Sequence, residues 1–248
     1  MLDPRTGIMP AGNEQSLSEY VYQEIRQRIC DLRYAPGCFL SEARLAAEYH
    51  VSKMPIKLAV RRLENDGWLI ADFRRKIRVK PICEQDIREL YQLRKLLERE
   101  ALHLIFTAGR TWEYSFRLEE KLLRIKAARD DIFQREQAEC DWHAETITIY
   151  DSAMIDRIYA NLRDEAVRTA FFYMQRLQAH GDYISDIIHG LEQIVHAIRE
   201  QDESTACAIL ERDHWQGALQ LALEALAASS LPDTSDSANH TANDIATR

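Results

Sequence analysis

Apolar residues recur at helical spacing along most of the chain, and the exception is a short β-prone stretch in its first third. Leu17, Val21, Ile25 and Ile29 fall four apart and predict a first helix, which Pro36-Gly37 stops. Ser41 to Tyr49 predicts a shorter helix capped by Ser41, with Leu45, Ala46 and Tyr49 inward. His50-Val51 is a tight turn into Ser52, which caps a helix ending before Gly67. Pro55 is tolerated in its first turn, and Ile56, Ala59, Val60 and Leu63 share its inner side. Trp68 to Ala71 and Ile77 to Val79 then predict a two-stranded hairpin.

From Glu84 to about Ala228 there is no proline and only four glycines. The 3.6-residue period predicts helices near 85–107, 112–128, 130–149, 152–178, 183–200 and 203–227, an antiparallel all-α bundle. The predicted division is a flexible arm at 1–15, a three-helix-and-hairpin unit at 16–80, a linker at 81–84, a helical domain at 85–228 and a disordered tail at 229–248. The tail is rich in Ser, Asp, Asn and Thr and poor in bulky apolar residues. With 46% hydrophobic residues in 248, two modest cores are expected rather than one large domain.

Charge changes this picture most. The whole chain carries −8, yet residues 52–80 hold nine Lys/Arg against three acids. Lys53, Lys57 and Arg61 form a stripe beside the apolar side of their helix, and Arg74, Arg75 and Lys76 sit at the hairpin tip. A charge run alone would be a solvated face. These cations instead follow a helix-turn-helix spacing and continue into a hairpin, an arrangement suited to double-stranded DNA. A helix fits the major groove, Lys and Arg reach guanine O6 and N7, and tip cations neutralise phosphates. Residues 14–81 carry +4 and the remainder −12. An acidic body is repelled from DNA and is the natural place for oligomerisation and sensing.

Other classes are disfavoured. No apolar run approaches the ~18 residues of a membrane span and the first residues lack a signal core, so a cytoplasmic protein away from membranes is expected. Five scattered cysteines without CxxC read as reduced thiols. GxSxG, GxxxxGK[ST], HExxH and GxGxxG are all missing, which argues against an enzyme.

Residues 17–80 resemble the winged helix-turn-helix of the GntR superfamily of bacterial transcription regulators. The resemblance is carried by Tyr34-Ala35-Pro36-Gly37, Leu40-Ser41-Glu42, Leu45-Ala46, Val51 to Lys57 and Arg62 to Leu69. It implies DNA contact by Lys53 and Lys57; Ser52, Arg61 and the wing residues Arg74, Arg75 and Lys76 complete the expected DNA-binding set. Lys53 and Lys57 stand where the family usually has arginine, and Ala43 where it often has another. Phe73-Arg74-Arg75-Lys76 replaces the usual glycine tip, which favours phosphate contacts over minor-groove insertion.

The helical part resembles the effector domain of the FadR subgroup through Ile87 to Tyr91, Leu93 to Glu98, Trp142-His143, Ala197-Ile198, Asp202 and Ala206. Many members of that subgroup hold a divalent metal with one carboxylate and three histidines, and sense a small carboxylate beside it. Carried over, the resemblance implies Glu139, His143 and Asp213 as metal-site residues, with Leu191 in place of one histidine and His214 beside Asp213. His189 and His196 share a face from which one could be recruited. The plain reading is a core His143 bonded to Glu139. Arg94 is the implied effector-binding arginine, with a salt bridge to Glu98 as the alternative; Tyr173, Arg176 and His180 add polar groups. Together these readings predict a homodimeric, ligand-responsive repressor binding a two-fold operator. The alternative is an architectural DNA-binding protein with no effector.

Overall fold

The computed structural model of the protein describes residues 14–71, 76–128, 130–176 and 180–229. All of the expected tail but Ser229 and nearly all of the expected arm lie outside these ranges, as do Arg74 and Arg75.

The N-terminal unit is built on α1 (Glu14–Cys30), α2 (Glu42–Glu48) and α3 (Lys53–Asn65). The four-residue repeat of α1 buries Val21, Ile25 and Ile29 against Ile56, Ala59, Val60 and Leu63 of α3. His50, at φ 52°, makes the turn between α2 and α3. Gly67, at φ 81°, ends α3 in the left-handed conformation that favours glycine, and its N–H bonds the Glu64 carbonyl. Trp68 follows at once and is fully buried in the same core.

The sheet has one strand more than the hairpin expected. β2 (Leu69–Ala71) and β3 (Ile77–Val79) pair antiparallel, with Ile70 opposite Arg78, and β1 (Phe39–Leu40) pairs with the other edge of β3. The extra strand follows from Gly37. Its φ of 79° turns the chain back, and its N–H bonds Val79 O, which aligns Phe39 and Leu40 along β3. Sequence pattern missed a strand of two residues because no period can show in so short a run.

The helical body comprises α4 (Glu84–Thr107), α5 (Thr111–Ala127), α6 (Ile132–Ile147), α7 (Ala153–Met174), α8 (His180–Arg199), α9 (Glu203–Ile209) and α10 (Ala218–Ser229). A 3₁₀ turn at Thr148–Tyr150 follows α6. α5 packs on α6 and α8, α6 on α7, and α8 on α9. Asp131, Ser152 and Asp202 cap α6, α7 and α9 by accepting backbone N–H bonds, which is why those helices start there. The single helix expected over 203–227 is instead α9 and α10 joined by a π-helix, Leu210–Gly217. Gly217 permits the wide turn: a Cβ there would stand 2.9 Å from the Arg212 carbonyl oxygen. Among the described residues, no helix is long and apolar enough to cross a membrane.

α7 also carries the N-terminal unit. Arg26 of α1 pairs with Asp164 at 2.6 Å, and the Arg168 guanidinium donates to the Lys80 carbonyl.

Leu63 is 0% exposed whereas Leu58, on the same helix, is 39% exposed. Leu63→Ala is therefore expected to cost about 2–5 kcal/mol of stability and Leu58→Ala under about 1 kcal/mol, as read by urea unfolding.

Candidate nucleic-acid interface and buried polar cluster

With the apolar side of α3 committed to the core, its opposite side presents Lys53, Met54, Lys57, Leu58 and Arg61 to solvent. None of the three cations has an ion-pair partner among the described residues, so their charge is available to an anionic surface. Ser52 is the exposed N-cap of α3, and its side chain makes no cap hydrogen bond. Lys76 is exposed at the base of the wing, 5.6 Å from the Phe39 ring centre. Among the described residues, the remaining cations of the basic stretch, Arg62, Arg78 and Lys80, are engaged within the protein. Arg62 pairs with Glu19 and lies over the Tyr22 ring at 3.9 Å. Arg78 donates to Gly37 O, and Lys80 pairs with Asp86 at 3.0 Å. Met54 and Leu58 were not singled out by sequence, because an exposed apolar residue between cations gives no periodic signal. Side chains of this kind can contact thymine methyl groups.

Inside the body, one carboxylate gathers donors from four elements. Glu98 of α4 is 2% exposed. It accepts from Arg94 Nε at 2.8 Å, Tyr159 Oη at 2.7 Å, Trp215 Nε1 at 2.9 Å and His143 Nδ1 at 2.9 Å. Burial opposes ionisation of Glu98, but Arg94 and then His143 outweigh it and hold the carboxyl far below its usual range. Burial lowers the pKa of His143, which keeps the imidazole neutral. A neutral ring donating Nδ1–H to a carboxylate presents a lone pair at Nε2.

That Nε2 faces His214 Nδ1 at 3.3 Å, and His214 Nδ1 lies 3.4 Å from Glu139 Oε1. Glu139, His143 and His214 thus bring ligand atoms within 4.8 Å of one another. The structure leaves Asp213 out of this group: it pairs with Arg212 at 2.6 Å and lines a cleft between α8 and the π-helix. The reason is the π-helix, whose extra residue per turn moves the inward position on by one, from Asp213 to His214. Leu191 is fully buried in the apolar core beside α9. His189 and His196 are exposed and stay outside the cluster.

Arg94 is committed to Glu98. Tyr173 is buried in the body, where burial pushes its hydroxyl well up. Arg176 is not brought to the cluster; it donates to Phe172 O and to Ser229 Oγ at the C-terminal helix. The His180 side chain is outside the described residues.

The residues present fit a divalent metal. Two nitrogens bound to one tetrahedral zinc stand about 3.3–3.4 Å apart when each bond is about 2.0–2.1 Å, which the His143–His214 separation matches. A carboxylate hydrogen-bonded to the other nitrogen of a ligating histidine is the usual outer support of such sites, the place Glu98 takes. His214 Nε2 is buried without a hydrogen-bond partner. A Cβ on Gly190 would stand 3.3 Å from Asp213 Oδ2 and 3.9 Å from His214 Nε2, so the π-helix passes close to α8 at this glycine. Gly190 and Asp213 line a solvent-connected cleft of about 370 Å³ between α8 and the π-helix.

Sequence profiles agree with this architecture. The profile for bacterial regulatory proteins of the gntR family matches residues 17–79, and the FCD domain profile matches residues 89–216. An uncharacterized HTH-type transcriptional regulator of Bacillus subtilis (strain 168), YdhC, is 34% identical over 84 residues, 34% of this chain and only 38% of that protein. The gluconate operon transcriptional repressor of the same organism is 28% identical over 210 residues, covering 82% of this chain and 85% of the repressor. A crystal structure from Rhodococcus sp. RHA1, ascribed to the GntR regulators, superposes with a TM-score of 0.69 at 20% identity. It covers 84% of this chain and 98% of that one, a likeness of fold.

A second buried carboxyl, Glu136, pairs with Arg135 at 2.9 Å, yet burial and then Glu139 push its pKa up from 4.5 to about 8. A raised carboxyl pKa contributes stability that is present below pH 4.5 and is lost as pH rises toward 8. Glu136→Gln lacks this loss. Relative to the native chain it should gain at least about 1 kcal/mol between pH 5 and pH 8 in denaturant unfolding.

Proposed function

Because the chain belongs to the GntR family of bacterial regulators and carries an FCD domain, we propose that it is a dimeric repressor whose DNA affinity responds to a small carboxylate ligand. The observation that carries the reading is the pairing of an unengaged cationic face on α3 with a cluster of buried His143 and His214 and half-buried Glu139 in the attached body. An architectural protein needs the first and not the second.

The α3 face enters the major groove. Lys53, Lys57 and Arg61 reach base edges and flanking phosphates, Ser52 bonds a phosphate from the helix start, and Met54 and Leu58 lie against base methyl groups. Arg74, Arg75 and Lys76 of the wing hold the sugar-phosphate backbone. Lysine contacts a guanine as a point charge rather than with the two-pronged geometry of arginine, so base discrimination through Lys53 and Lys57 is modest. Dimerisation doubles this contact and makes the operator two-fold symmetric. α4 leaves Leu93 and Leu96 exposed, and α7 leaves Met154 and Ile158, which gives the body apolar surface for a second copy. Repression of an operon is what the name of the gluconate relative records for that protein.

In the body, Glu139, His143 and His214 hold a divalent metal. Bound there, the metal supplies a positive charge with open coordination positions for a ligand carboxylate. Glu98 fixes the tautomer of His143, Arg94 fixes Glu98, and Tyr159 and Trp215 complete its hydrogen bonds. Asp213 stands at the cleft beside Gly190, where a ligand passes toward His214, and Tyr173 belongs to the interior wall. Arg176 lies too close to the C-terminal helix for a part in this site.

Two experiments check these assignments. His214→Ala should lower the affinity for zinc or manganese at least tenfold by titration calorimetry, whereas Asp213→Ala should leave it within about threefold. Equal losses would put Asp213 in the site. In gel shifts on an operator selected from random duplexes, Lys57→Ala should weaken binding and relax one base preference. Arg75→Ala should weaken all sequences alike and reduce the salt slope by about 1. If both variants bind as the native chain does, the interface lies elsewhere.

A further inference from the structure

α5 is held in the body from one side. Its buried Leu118, Leu122 and Ile125 cluster with Trp142 of α6 and with Ile194 and Ile198 of α8. On its outer side Trp112 is 69% exposed, Phe116 67% and Leu123 61%. The first two are the most exposed large apolar side chains among the described residues. At 3.6 residues per turn, Trp112, Phe116, Glu119 and Leu123 fall within roughly 60° of one another and make one stripe down the helix. Contiguous exposed apolar surface of this kind marks an interaction site.

The charges on and beside the stripe identify what fits it. Glu119, the one charge within it, already pairs with Arg199 of α8 at 2.9 Å. Alongside run Glu113, Arg117, Glu120 and Arg124, alternating in sign. Their side chains are well exposed and pair among themselves, Arg117 with Glu113 at 3.4 Å and Arg124 with Glu120 at 3.3 Å. Arg110 and Glu145 are further neighbours of Glu113 and Arg117. Exposed pairs of this kind are weak and exchange partners at little cost.

Read backwards, the order Glu, Arg, Glu, Arg becomes Arg, Glu, Arg, Glu. Two copies of α5 lying antiparallel about a two-fold axis therefore meet with opposite charges at each position. Glu113 stands beside Arg124 of the second copy, and Arg117 beside Glu120 of the second copy. The same reversal sets Trp112 against Leu123 of the second copy and Phe116 against the methylene stem of Glu119.

We propose that the outer face of α5 seats a second copy of itself in this antiparallel, two-fold pair. The face is distinct from the exposed Leu93, Leu96, Met154 and Ile158, which lie on α4 and α7. A dimer formed through α4 and α7 is thus joined to another through α5, giving a tetramer with two operator-binding pairs of N-terminal units. The number of copies rests on the dimer proposed above; the α5 pair itself does not. One helix pair of this length falls at the small end of specific interfaces, below about 1,200 Å², so the association is weak and depends on protein concentration.

Sedimentation velocity of the full-length protein over a micromolar concentration series tests the contact. As concentration rises the native chain should show a species of doubled mass, and Phe116→Glu should remove it. Phe116 is exposed, so the variant keeps its fold, which circular dichroism verifies, and its shift of the selected operator should match that of the native chain. Cysteine pairs test the direction. On one helix, residues 112 and 123 stand about 16 Å apart, beyond the ~7 Å Cα reach of a disulfide, so a link between them joins two copies. Under mild oxidation Trp112→Cys/Leu123→Cys should form covalent pairs, while either single variant should link no more than the native chain does through its own thiols. The proposal is overturned if Phe116→Glu and the native chain sediment alike throughout. It is also overturned if the double variant links no more than the native chain, or if Trp112→Cys alone links as well as the double variant, the sign of a parallel pair. Loss of the operator shift in native chain and variant alike would count against the DNA reading, while the masses and links still decide this one.

Discussion

The hydrogen-bonded carboxylate of Glu98 is the constraint on which the body depends. A charge with 2% exposure is tolerated only when its lone pairs are taken, and here donors come from α4, α6, α7 and the π-helix. Removing Glu98 would leave the buried Arg94 guanidinium uncompensated, a loss typically of about 3–5 kcal/mol. The same bonds have a directional consequence. His143 is held with Nδ1 toward Glu98 and Nε2 toward His214, and Trp215 is held one residue beyond His214. Structural stability and the aim of the two imidazoles come from one set of contacts.

The N-terminal unit follows a simpler division of labour. Its core side is apolar and closed, so its cations are sorted by what the fold itself requires. Arg62, Arg78 and Lys80 are spent on Glu19, Gly37 O and Asp86, while Lys53, Lys57 and Arg61 are left outward. A net count of charge over the stretch hides this difference. The unit rests on α7 through Arg26 and Arg168, and α7 also supplies Tyr159 to Glu98. One helix therefore touches both the joint and the buried cluster.

Much of the fold was legible from periodicity, because long amphipathic helices repeat their pattern many times. The inward set Ile56, Ala59, Val60 and Leu63 is buried as its spacing implies, and Gly67 takes the left-handed cap. The misses share one cause: features that interrupt a period over one or two residues. β1 is two residues long, and the π-helix inserts a residue that leaves composition untouched. That single insertion is why position-by-position carry-over reached Asp213 while the structure turns His214 inward. Glu98 was visible only as an i, i+4 neighbour of Arg94. Its bonds to Tyr159 and Trp215 join residues 61 and 117 positions apart, beyond any local pattern.

The central claim is that the body is built around a pair of imidazoles, His143 and His214, poised with Glu139 to take one ion. X-ray absorption at the zinc edge of the zinc-loaded full-length protein tests it most directly. The account predicts a light-atom shell with the multiple-scattering signature of two imidazoles, falling to one in His214→Ala. A signature of one imidazole in the native protein, unchanged by that substitution, would contradict it.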